Sequence, residues 1–134
     1  MAEDVVVKDV LTPEMIHAGA ELTRLLDANG RAPSASFWFF LPDAGQWRLL
    51  VALPDLPRTG PRDAYTSILG ALQQMETNGG AIPLGEIEVL EPEHPLVQLL
   101  RAAIRTGDRI TGIRFSKNAI NGQFIEDAYI YRLL

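Results

Sequence analysis

The chain has 134 residues, a formal net charge of −5 and no cysteine. At this length a single domain buries roughly two-thirds of the surface its unfolded form exposes, so a core forms without disulfide or metal staples. An apolar share of 47% beside 22% charged residues excludes a disordered chain, and the acidic balance argues against wholesale binding to nucleic acid or anionic membrane.

The first ten residues, MAEDVVVKDV, lack the basic start and long apolar stretch of a signal peptide. No apolar run approaches the roughly 20 residues that span a bilayer. With cysteine absent, a cytoplasmic protein is expected. Basic residues are ten Arg against Lys8 and Lys117, an arginine bias that by itself says little about phosphate binding.

In chain order, Val5 to Leu11 reads as a short strand. Thr12-Pro13-Glu14 then supplies an N-cap, a proline at the first helical position and an acid in the first turn. Met15, Ala18, Gly19, Leu22, Leu25 and Leu26 follow on one helical stripe, with Leu11 and Ile16 placed as a hydrophobic staple. Asn29-Gly30 ends this helix. Ser36 to Leu41 and Gln46 to Leu53 are aromatic and branched runs joined by the turn Pro42-Asp43-Ala44-Gly45, hence an antiparallel hairpin. Phe37, Phe39 and Leu41 face one way while Trp38 and Phe40 face the other, so both faces need cover and the hairpin belongs at the centre of a sheet.

A second helix is predicted from about Pro61 to Asn78, with Tyr65, Ile68, Leu69, Leu72 and Met75 on its apolar stripe. Leu84 to Leu90 alternates as a half-buried strand. A third helix starts near Glu93 and ends before Gly107, with Leu96, Val97, Leu99, Leu100, Ala103 and Ile104 forming a broad stripe that implies deep burial. Arg109 to Phe115 and Gln123 to Leu133 read as strands joined by a loop, Ser116 to Gly122. The order (β)-α-β-β-α-β-α-β-β specifies one α+β domain over residues 1–134, with a mainly antiparallel sheet of about five strands and three helices.

Four groups of residues are candidates for function. Arg58, Thr59, Gly60 and Arg62 surround the start of the second helix, where free N–H groups and two guanidinium groups suit a phosphate, nucleotide or carboxylate. No Walker lysine or glycine-rich fingerprint accompanies them. Arg101, Arg105, Arg109, Arg114 and Lys117 form a basic segment against Asp108 alone, whereas Glu86, Glu88, Glu91 and Glu93 form an acidic one. The basic segment suits a nucleic-acid backbone or an acidic partner, but lacks interleaved exposed aromatics, and the preferred account is that the two segments balance each other. Asp127 beside Tyr129 and Tyr131 marks a polar spot on the last strand, and packed tyrosine rings are the simpler account. Glu14, His17 and Glu21 share a helix face that charge pairing explains without a metal.

No catalytic motif is present, and no cofactor or metal site is expected. The expectation is a small cytoplasmic protein acting through protein–protein binding or self-association. If all three helices pack on one side of the sheet, the other face exposes either Trp38 and Phe40 or Phe37 and Phe39. Such a patch marks a homodimer interface, with Trp38 and Phe40 the preferred pair, whereas helices on both faces would need no partner. The alternatives are recognition of an anionic ligand, nucleotide or nucleic-acid backbone at the arginines above, and carboxylate chemistry at Asp127.

Overall fold

The computed structural model describes residues 10–76 and 82–134. The strand expected at Val5 to Leu11 lies mostly outside the described residues, and Val10 and Leu11 belong to no strand. Helix α1 spans Pro13–Ala28, and its start is closed locally: Met15 N donates to Thr12 Oγ1 at 3.1 Å. Asn29 caps its end and Gly30 takes φ 80°, the left-handed geometry that glycine adopts without steric cost. Strands β1 (Ala35–Leu41) and β2 (Gln46–Ala52) form the antiparallel hairpin. After them come α2 (Leu56–Thr59), α3 (Pro61–Glu76) and β3 (Ile87–Leu90), and then α4 (Pro95–Ala103), β4 (Ile113–Ile120) and β5 (Gln123–Leu133).

The five strands make one mixed sheet in the order β3-β2-β1-β5-β4. Three of its pairings are antiparallel, and the fourth, β2 with β3, is parallel. The sheet is thus mainly antiparallel, and its one parallel pairing arises because the chain passes through α3 between β2 and β3, the crossover that a parallel pair needs. Leu84–Glu86 is a 3-10 turn, so β3 is shorter than its alternating pattern suggests.

Helices cover both faces, which answers the hairpin's two-sided demand within one chain. Trp38, Phe40, Leu49, Val51 and Tyr131 pack with Leu22 and Leu26 of α1 and Ile68 and Leu72 of α3. On the opposite face Phe37, Leu50, Ile130 and Leu133 pack with Val97 and Leu100 of α4. The expected Trp38/Phe40 interface is therefore corrected. Trp38 is 0% and Phe40 3% exposed, because both rings lie in the core beneath α1 and α3.

Close approach of α1 to the sheet is set by Gly19. A Cβ there would overlap the Tyr131 hydroxyl and lie 2.7 Å from Trp38 Nε1. The space goes to polar contacts: Tyr131 Oη donates to Ile16 O at 2.5 Å, and Trp38 Nε1 donates to Met15 O at 3.1 Å. Register shifts where Ser36 faces Arg132 and Phe37 faces Ile130. The extra residue of that bulge lets Tyr131 and Arg132 both reach α1.

The polar run Ser116 to Ile120, expected as a loop, is strand. It pairs with β5 up to a two-residue turn at Asn121 (φ 50°) and Gly122 (φ 81°), the geometry that matches hairpin twist. The other positive φ of a non-glycine residue among those described, 50°, falls on Lys117 within β4 and not on Asn118. No helix among the described residues is long and apolar enough to cross a membrane.

Truncating Trp38 to alanine empties a fully buried site and should cost on the order of 3–5 kcal/mol in a denaturant melt. A melt unchanged by the substitution would contradict the packing described. Burial pushes the Tyr131 hydroxyl well above its ordinary value near 10. The unfolded chain then releases a proton near pH 10 that the folded chain keeps, so stability present below pH 10 is lost above it. Urea melts across the alkaline range should show this decline in the wild type. Tyr131→Phe should lower stability at neutral pH by about 1–2 kcal/mol and flatten the alkaline decline.

Candidate functional site

The loop between α1 and β1 carries Arg31, which organises the region where an anion site is expected. Arg31 Nη1 donates to Asp63 Oδ2 at 2.8 Å and to Ser67 Oγ at 2.7 Å. Its Nη2 donates to Asp55 Oδ1 at 3.0 Å and to Thr59 Oγ1 at 3.2 Å. The start of α3 thus already holds two carboxylates around one guanidinium. Thr59 is engaged in that network, and Gly60 turns the chain between α2 and α3 at φ 86°. Arg58 and Arg62 are exposed, with Arg58 only 3.9 Å from Asp55. The predicted residues are neighbours, but the cation at their centre is Arg31.

A second arginine, this one buried, holds the other end of the same region. Arg132, 3% exposed, makes a two-pronged pair with Asp27, both contacts at 2.8 Å, and also donates to Pro33 O and Asp108 O. It ties the end of α1 to β5. The one available signal was an arginine between Ile130 and Leu133 in an apolar strand.

Asp127 is likewise committed. Arg114 meets it through Nε and Nη2, each at 2.7 Å, and lies 5.6 Å from the Trp47 ring centre. The carboxylate raises the Arg114 pKa above its ordinary value. Tyr129 and Tyr131 stack edge-on at 5.5 Å, and Tyr131 is turned into the core. On α1, Glu14 and His17 are exposed while Glu21 pairs with Arg24, whose hydrogen bond lowers the Glu21 pKa. Among the described residues no group of three or more His, Cys, Asp or Glu side chains is placed to hold a metal ion.

The acidic and basic segments do not balance each other. β3 and β4 are the two opposite edges of the sheet, and among the described residues none of Glu86, Glu88, Glu91 and Glu93 pairs with Arg101, Arg105, Arg109, Arg114 or Lys117. Glu88 reaches Arg48 at 3.5 Å, and Arg101 donates to Leu134 O at 3.2 Å. The protein is therefore electrically polar across the sheet.

Helix α4 bridges these two poles. His94 caps it, with Leu96 N donating to His94 Nδ1 at 3.1 Å, and Pro95 opens it. Val97 and Leu100 point into the core, whereas Leu96, Leu99 and Ile104 are half-buried and Ala102 and Ala103 exposed. The broad apolar stripe is thus fully buried only at Val97 and Leu100, with Leu96, Leu99 and Ile104 packed at the margin of the core. Beside its start lies an open cleft of about 430 Å³ lined by Leu56, Glu88, Glu91, Glu93 and His94.

If Arg31 is the structural cation of the α2–α3 corner, Arg31→Ala should cost about 2–3 kcal/mol. Arg58→Ala with Arg62→Ala should change stability by less than about 0.5 kcal/mol. Denaturant melts compare them directly, and equal losses would refute the assignment.

Compared with protein-family models, with curated proteins and with solved structures, the chain finds no match.

Proposed function

We propose that this protein acts through protein–protein binding, in a cytoplasmic setting, and that it self-associates through the surface carried by α4. The observation that carries the reading is the partly covered flank of that helix, where Leu96 and Leu99, packed at the margin of the core, stand half-buried beside exposed Ala102 and Ala103. An apolar seam with small residues beside it allows another helix to approach closely, and apolar surface of this kind on a folded domain usually marks an interface. A two-fold homodimer is the commonest way to cover it.

Binding ranks ahead of catalysis on chemical grounds. Asp127 is held by Arg114, Asp27 by Arg132, and Asp55 and Asp63 by Arg31. Carboxylates whose oxygens already accept from a guanidinium group are poorly placed to take a proton from a substrate, because geometry comes first for a general base. The same pairing at the start of α3 offsets the charge that an anionic ligand would seek.

Light scattering behind a sizing column, at micromolar and higher concentrations, tests the proposal. The wild type should elute with the mass of a dimer, and Ala103→Glu, at an exposed position of α4, with that of a monomer and an unchanged thermal melt. A wild-type monomer throughout would overturn it.

A further inference from the structure

We infer that two copies pair with their α4 helices antiparallel, the acidic end of each against the basic end of the other. The inference rests on the self-association proposed above and specifies its geometry. Three observations converge on it. Glu91 and Glu93 precede α4, while Arg101 lies in its last turn and Arg105 just beyond. Between those ends runs the half-buried seam of Leu96 and Leu99 with exposed Ala103. Among the described residues, neither Glu91 nor Arg105 has an ion-pair partner.

A surface with an acid at one end, a base at the other and an apolar middle is complementary to its own image after a half-turn. Rotation about an axis through Leu99 exchanges the two ends, so Glu93 meets the partner's Arg105 and Arg105 meets the partner's Glu93. Each contact occurs twice, as two-fold symmetry requires. The helix is nine residues, or about 13 Å, long, so the two charged ends are too far apart to neutralise each other within one copy. A parallel pairing instead sets glutamate against glutamate and arginine against arginine. The antiparallel one also opposes the two helix dipoles favourably. A second copy, already carrying the complementary pattern, is thus the occupant that the charges select.

Acids at a helix start and bases at its end also stabilise an isolated helix, and charge exchange separates the two accounts. Glu93→Arg and Arg105→Glu should each weaken the dimer by roughly tenfold or more, since each reverses two symmetric contacts. An equimolar mixture of the two variants should recover dimers, and so should the double variant Glu93→Arg/Arg105→Glu. A purely local role predicts no recovery, only a lower melting temperature in the double variant.

Because the chain has no cysteine, engineered thiols give a second, independent readout. Leu96→Cys mixed with Ala103→Cys should form a mixed disulfide under mild oxidation, and neither variant alone should cross-link efficiently. Cross-linking of Ala103→Cys with itself, or charge variants that dimerise like the wild type, would overturn the antiparallel geometry while leaving self-association standing. Loss of the dimer already in the wild type would instead defeat the reading on which it rests.

Discussion

A strand with large apolar side chains on both faces cannot lie against water on either, and β1 is such a strand. Phe37 and Trp38 are adjacent in sequence, point to opposite sides and are both fully buried. That constraint places β1 in the middle of the sheet and requires helices above and below it. The cover is unequal. Sixteen residues each from α1 and α3 shield the Trp38 face, while nine residues of α4 shield the Phe37 face. The shorter cover leaves Leu96 and Leu99 of α4 packed at the margin of the core, half-buried.

Holding α1 close enough to cover Trp38 calls for several cooperating details. Gly19 removes the Cβ that would strike Tyr131, and the bulge in β5 brings Tyr131 and Arg132 to the same side. Thr23 Oγ1 meets Ser36 Oγ at 2.7 Å in the buried contact between helix and strand. Arginines then act as struts: Arg132 fastens the end of α1, and Arg31 fastens the corner between α2 and α3. A pair with a buried guanidinium, as at Arg132, adds little net stability over apolar packing, but breaking it leaves a desolvated charge, so it restricts the chain to one arrangement. Arg132 Nε, buried without a partner, adds to the cost of that strut.

The sheet edges are handled differently. At β3, Tyr65 Oη accepts from Val89 N at 3.0 Å, so a helix side chain occupies part of the edge. At β4, the positive φ of Lys117 and its charge interrupt a regular template for strand addition. Both edges are thus guarded by side chains or backbone geometry, at least in part.

Local signals were legible wherever their physics is local. Thr12-Pro13 and Asn29-Gly30 bound α1 through caps and backbone geometry that depend on a few neighbouring residues, and Pro42 to Gly45 marks the hairpin turn in the same way. Asn121-Gly122 is another such case, although the polar residues before it hid the strand they belong to. An edge strand is defined by backbone pairing and does not need apolar side chains. Periodicity showed that α4 has a wide apolar stripe and that Trp38 and Phe40 need cover, yet it carries no information on which helix meets which face. Strand order likewise decided that the glutamates around β3 and the bases around β4 lie at opposite edges, and folding alone brought Arg31 to Asp55 and Asp63. Caps and turns are settled by contacts within a few residues of chain, whereas sheet order, facing and ion pairing depend on which distant segments exclude water together.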